Sequence, residues 1–212
     1  MKNYIFVIII IYSKNYILGQ PNPNLAEHGP YEIETFSEEI TFNDGLSTEY
    51  MVFQPFNSTN APHLILSHGF FRNKSVMEEL AIHYASWGIK TVTIDLLHSS
   101  IFDNDPIQDA LDLVYLSNFI ESQNGVIYGG HSSGGMRSVL AASEDSNAIA
   151  VMGLDLVDAN DLALIAASNI SIPIWGILGE SSECNSFGNG AFVYEHAIDG
   201  NALQIVEADH CD

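Results

Sequence analysis

Basic side chains are nearly missing from this chain of 212 residues: six Lys and Arg stand against 27 Asp and Glu, a formal net charge of −21. A field of that sign repels nucleic acid and anionic lipid and keeps molecules apart, so the sequence predicts a monomer with no nucleic-acid partner. Cysteine is as scarce, with two in the whole chain. No Cys/His spacing of the metal-binding kind occurs, nor a phosphate-cradling glycine loop, a basic patch or an internal repeat. No metal and no cofactor is therefore expected. Long apolar runs are also lacking: the one candidate, Tyr4–Tyr12, is broken off by Lys14 well short of the ~20 residues that a membrane span needs.

That run follows Met1-Lys2-Asn3, which makes residues 1–19 read as a secretory leader with a charged start, a short apolar stretch and cleavage after Gly19. Its removal would leave Arg72, Lys74, Lys90 and Arg137 against the 27 acids, a formal charge of −23. The expectation is a secreted protein with no stable membrane insertion once the leader is gone. Outside the cell, Cys184 and Cys211 are expected to pair, and the loop they would close is worth about 3.5 kcal/mol in a chain-entropy account. The polar stretch Gln20-Pro21-Asn22-Pro23-Asn24 opens a flexible segment over residues 20–30. Residues 31–212 have the length and apolar content of one domain.

Within that domain the apolar pattern alternates between two periods. Glu32 to Phe42 and Thr48 to Phe56 flank Asn43-Asp44-Gly45, a turn signal that predicts a hairpin of two half-buried strands. Six short apolar strands are expected after it: His63 to Ser67, Lys90 to Leu97, Gly125 to Gly129, Ala148 to Leu156, Ile172 to Leu178 and Ala202 to Val206. Helical spacing fills Ser75 to Trp87, Pro106 to Ser122, Ser133 to Ala142, Ala159 to Ala167 and Ala191 to Ile198. Apolar strands alternating with amphipathic helices predict an α/β fold, a mostly parallel sheet with helices on both faces.

One strand runs into Gly130-His131-Ser132-Ser133-Gly134, a Gly-x-Ser-x-Gly pattern that leads into a helix. It reads as a nucleophile elbow in which Ser132 projects its hydroxyl above the sheet. A serine needs a base, and histidine titrates in the right range. If nucleophile, acid and base follow in that order, only His196 and His210 remain. His196 falls inside a helix, whereas His210 follows the last strand at its carboxyl end, where sheets of this type assemble their sites. His210 is thus the expected base. For the carboxylate that orients it, position leaves Asp155, which ends one strand, and Glu183, which follows the next, both open. Asp158 reads as a helix cap, with Asp161 in the first turn of that helix. Two amides are expected to face a developing oxyanion: Ser133 N–H at the start of the elbow helix, and Phe70 N–H in His68-Gly69-Phe70-Phe71. Phe71 and His131 are the expected lining of a substrate pocket.

The succession of His68-Gly69-Phe70-Phe71, Gly130-His131-Ser132-Ser133-Gly134-Gly135, Gly153-Leu154-Asp155-Leu156-Val157-Asp158 and Asp209-His210-Cys211-Asp212 resembles the α/β-hydrolase superfamily. Within it, the chain is similar to the chlorophyllase-like branch and its polyester-hydrolase, or cutinase-like, relatives, from about Thr48 to Asp212. The resemblance implies a serine esterase acting on small or polymeric esters through an acyl-enzyme. It tips the choice of acid to Asp155, where the chlorophyllase-like pattern puts it, with Glu183, favoured by the polyester-hydrolase pattern, as the alternative. Ser133 stands where plant chlorophyllases commonly carry arginine, so the likeness is to the branch and not to chlorophyll as substrate. Relatives continue into a closing helix after the base, so the chain is expected to lack that helix and leave part of one sheet face bare. A lipase, phospholipid acetylhydrolase or amidase, or a catalytically silent binding protein on the same scaffold, are the alternatives.

Overall fold

The computed structural model describes residues 24–58 and 61–210. The expected leader and the expected partner of Cys184, Cys211, lie outside them, and Cys184 itself is exposed. Eight strands form one sheet: β1 (Ile33–Thr41), β2 (Ser47–Pro55), β3 (His63–Ser67), β4 (Lys90–Ile94), β5 (Val126–His131), β6 (Ala148–Leu154), β7 (Ile174–Leu178) and β8 (Gly200–Gln204). They lie in the order β1-β2-β4-β3-β5-β6-β7-β8. β2 pairs antiparallel with both β1 and β4, and every other pair is parallel. The helices are α1 (Glu78–Ser86), entered through a 3-10 turn at Lys74–Met77, then α2 (Pro106–Phe119), α3 (Ser133–Glu144), α4 (Leu162–Ala167) and α5 (Ala191–His196).

Local chemistry explains these boundaries. In the β1–β2 turn, Gly45 takes φ +87° and the Asp44 carboxylate accepts from Leu46 N–H at 2.9 Å, closing the hairpin. β1 departs from the half-buried strand expected of it: nearly all its residues are exposed, and its Glu34, Glu38 and Glu39 mark a charged edge that discourages pairing with another chain. α2 begins where Asp105 accepts from Ile107 N–H and Gln108 N–H, both at 3.1 Å, with Pro106 in the first turn. Asp158 caps α4 as expected, taking Ala163 N–H at 2.9 Å and Leu164 N–H at 3.0 Å, but it does so from ahead of Asp161, which occupies the cap position in a left-handed conformation. Residues 24–30, expected to be loose, already touch the end of α1, where Trp87 Nε1–H donates to the Glu27 carbonyl at 3.1 Å and Gly29 N–H to Ser86 Oγ at 2.8 Å.

The two faces of the sheet are unequally covered. Helices α2 to α5 bury one face around Ile65, Val92, Tyr128, Val139 and Val193, while α1 and the turn before it cover part of the other, packing Met77, Ala81 and Ala85 on Phe53, Leu64 and Leu66. A Cβ on Gly176 would stand 2.2 Å from Tyr194 Cζ, so Gly176 faces α5 and its neighbours Trp175 and Ile177 face the α1 side. There Trp175 stays 59% exposed and Leu203, paired with Ile177, 63%. Among the described residues nothing covers the α1 side of β7 and β8. Nor is any helix among them long and apolar enough to cross a membrane.

α2 carries two buried acids. Asp112 Oδ1 accepts from Gln108 Nε2–H at 2.9 Å, and Oδ2 has no hydrogen-bond partner among the described residues. Burial pushes this carboxyl up to about 6, outweighing the Gln108 bond and the nearby His98. A group whose pKa is raised by folding adds stability that is full below its unfolded value, near 3.9, and lost as pH rises through its folded one. Asp112→Asn should therefore raise the thermal unfolding midpoint more at pH 8 than at pH 4; an equal rise at both would refute that account.

Candidate functional site

The functional residues of the sequence reading gather at the carboxyl ends of the parallel strands. Ser132 follows β5, Asp155 follows β6, His210 ends the loop after β8, and His68 to Phe71 follow β3. The elbow is built by close backbone approach. A Cβ on Gly130 would stand 2.4 Å from the Gly134 carbonyl, and one on Gly134 would stand 2.4 Å from the His68 carbonyl oxygen, so neither position admits a side chain. Between them Ser132 takes φ 56° and ψ −126°, a conformation that non-glycine residues rarely hold. The surroundings enforce it: Ser132 N–H donates to the Leu154 carbonyl at 2.9 Å, and the Ser132 carbonyl accepts from Gly135 N–H at 3.0 Å and Val157 N–H at 3.1 Å.

Ser132 Oγ lies 2.9 Å from His210 Nε2, and His210 Nδ1 lies 2.6 Å from Asp155 Oδ2. A carboxylate only accepts, so His210 carries its hydrogen on Nδ1 and presents Nε2 as an acceptor to the Ser132 hydroxyl. Of the two acids left open by position, Asp155 makes this bond, and Glu183 sits exposed on the loop after β7. Asp155 is itself clamped. Its φ is 44°, its N–H donates to the Ile177 carbonyl at 2.7 Å, and its Oδ1 accepts from Gly179 N–H at 3.0 Å.

Asn185, which no sequence signal singled out, completes that clamp. Its fully buried side chain donates from Nδ2 to Asp155 Oδ2 at 3.1 Å and to the Glu180 carbonyl at 2.8 Å, while Oδ1 accepts from Ser182 N–H and Gly188 N–H. One amide thus folds the β7 loop and orients the acid. His68 does the same for the β3 loop: Nε2 accepts from Leu96 N–H at 3.0 Å, so Nδ1–H donates to the Gly69 carbonyl at 2.8 Å, and burial holds the ring's pKa below its usual range. Buried and with both ring nitrogens engaged by the backbone, this histidine holds the loop together.

The amides expected to face an oxyanion are free to do so. Neither Phe70 N–H nor Ser133 N–H meets an acceptor among the described residues, whereas Phe71 N–H is taken by the Ser99 carbonyl at 3.1 Å. Gly69 brings this loop against the elbow, since a Cβ there would stand 3.2 Å from Ser132 Cβ. Phe71 departs from its expected place in a pocket. Its φ of 60° and its bond to Ser99 turn the ring outward, where it is 64% exposed beside Phe70. His131 does line a cavity of about 690 Å³, together with His210, Asp155, Arg72 and the apolar Val76, Met77, Leu80 and Ile177. That cavity lies on the α1 side of the sheet, and Ser132 is not among its walls. Burial also pushes the His131 imidazole pKa down, partly offset by its hydrogen bond to the His210 carbonyl. His196 is exposed on α5 and takes no part.

No protein-family model matches the chain, and no curated protein does. Solved structures match over most of its length. The dienelactone hydrolase of Anabaena variabilis superposes with a TM-score of 0.70 at 21% identity, covering 85% of this chain and 89% of that one. Est1E of Butyrivibrio proteoclasticus gives 0.65 at 16% identity over 82% and 90% of the two chains. The acetyl xylan esterase of Paenibacillus sp. R4 gives 0.61 at 12% identity over 84% and 83%. With the strand order and the antiparallel β2, these likenesses establish the α/β-hydrolase fold.

Proposed function

We propose that this chain is a secreted serine hydrolase of carboxylic esters. The observation that carries the reading is the unbroken hydrogen-bonded run from Ser132 Oγ through His210 to Asp155, beside two amides that meet no acceptor among the described residues. Ser132 Oγ attacks the ester carbonyl carbon as His210 Nε2 takes its proton. The imidazolium so formed is held against Asp155, and Phe70 N–H and Ser133 N–H receive the oxyanion. His210 then returns the proton to the leaving alkoxide, the C–O bond breaks, and an acyl group remains on Ser132. Water repeats the sequence from the other side and releases the acid.

Esters are favoured over amides because two of the similar structures are named for lactone and acetyl-ester chemistry. The narrower assignment to the chlorophyllase-like branch is supported by the acid at Asp155 in Gly153-Leu154-Asp155-Leu156-Val157-Asp158, since the polyester-hydrolase pattern would put it after the following strand. Secretion rests on the leader expected from the sequence of residues 1–19.

The test is intact mass after exposure to a fluorophosphonate. A single adduct on the wild type, slowed in His210→Ala and absent from Ser132→Ala, is expected; a folded wild-type sample that takes up no adduct would overturn the proposal. A panel of p-nitrophenyl esters of rising chain length beside one anilide then separates esterase from lipase and amidase.

A further inference from the structure

The base lies on the loop after β8. β8 is an edge strand with mostly exposed side chains, and the loop beyond it is tied by Ile205 N–H to the Leu178 carbonyl, Glu207 N–H to Glu180 Oε1 and Glu180 N–H to the Ala208 carbonyl. Those bonds hold residues 205 to 208. The His210 backbone is held by a different residue: His131 Nε2 lies 2.7 Å from the His210 carbonyl oxygen, and the two rings meet tilted at 34° with centroids 4.8 Å apart. A carbonyl only accepts, so His131 must donate from Nε2. On its other side the ring abuts the loop of Phe70, where a Cβ on Gly69 would stand 3.1 Å from His131 Nδ1.

We infer that His131 is a positioning residue, which fixes His210 from behind by one hydrogen bond to its carbonyl and one ring contact. The inference rests on the Ser132–His210 reading above and adds a role beyond the substrate lining that the sequence suggested for His131. Proton transfer between Oγ and Nε2 depends on a separation of 2.9 Å, and a misplacement of about 1 Å can cost on the order of 100-fold in rate. Because His131 immediately precedes the nucleophile, the same backbone that sets Ser132 also sets the ring that backs His210. Nucleophile and base are thereby registered to one strand end across 78 residues of sequence.

The test uses p-nitrophenyl acetate as substrate. His131→Leu is expected to lower kcat about 10- to 100-fold with KM within about twofold, and His131→Gln, whose Nε2–H stands where the imidazole donor stood, should recover most of that loss. His131→Asn, one carbon too short to reach the carbonyl, should behave like the leucine variant and serves in its place if leucine prevents folding, which circular dichroism reports. A wild-type kcat in the leucine or asparagine variant, a loss confined to KM, or a glutamine variant no better than asparagine would overturn the inference while the hydrolase reading stands. A wild type that neither turns over nor takes up fluorophosphonate would instead remove the reading beneath it.

Discussion

Ser132→Ala is expected to lower turnover of p-nitrophenyl acetate by about 10⁴-fold or more while leaving the unfolding midpoint nearly unchanged. In the proposed mechanism Oγ is the atom that forms the acyl-enzyme, so its removal leaves only the residual rate that the amides and binding supply. The cost to stability is small because alanine inherits the same φ of 56° and the lost hydroxyl–imidazole bond is worth about 1 kcal/mol. Ser132→Gly separates the two effects further. It removes the same nucleophile but relieves a backbone conformation that costs a side chain on the order of 1–3 kcal/mol, partly offset by the extra freedom glycine gives the unfolded chain. The glycine variant should therefore be as inactive as alanine and at least as stable as the wild type. Measured turnover and urea midpoints of the three proteins decide this, and an alanine variant that keeps its turnover rules out Ser132 as the nucleophile.

What could be read ahead of the structure follows from how far each interaction reaches along the chain. Strand and helix periods are local, so β3 falls on His63–Ser67 as expected and each of the five helices appears where spacing put it, with ends shifted by a few residues. The elbow was legible because a serine at positive φ between two glycines leaves a local signature. Asp155 and Glu183 could not be separated by spacing, since each follows a parallel strand. What separates them is the left-handed turn at Asp155 and a donor, Asn185, that arrives from 30 residues away. Phe71 was misplaced for a related reason: paired aromatics near a site suggest a pocket, but one left-handed residue and one bond to Ser99 turn the second ring to solvent. The apolar stripe of β7 and β8 likewise carries core-like residues with no helix over them among the described residues. Composition reports that a face is apolar and is silent on what covers it.

The same distance argument hid the residue whose loss should harm the fold most. Arg137, one of four Lys and Arg beyond residue 19, is wholly buried on α3. Its Nε–H donates to Asp109 Oδ2 at 2.6 Å, Nη2 to Asn104 Oδ1 at 2.9 Å and to the His98 carbonyl at 3.2 Å, and Nη1 to the Ser133 carbonyl at 3.3 Å. Asp109 in turn accepts His98 N–H at 2.9 Å. The pair therefore binds the elbow helix, α2 and the loop after β4, and that loop holds Phe71 N–H through Ser99. Replacing Asp109 by alanine leaves the guanidinium buried without its counter-charge, which should cost about 3–5 kcal/mol, a large part of the 5–15 kcal/mol typical of a domain. Arg137→Met should cost a similar amount by stranding Asp109, whose carboxyl burial already pushes up in pKa against the pull of Arg137. The two losses should not add. In the double variant both charges are gone and neither is left buried without its partner, so it should be more stable than either single variant. Urea unfolding of the four proteins closes the cycle. Strictly additive losses, or single-variant losses below about 1 kcal/mol, the range of a surface ion pair, would show that this buried pair is not what holds the elbow helix to the loop after β4.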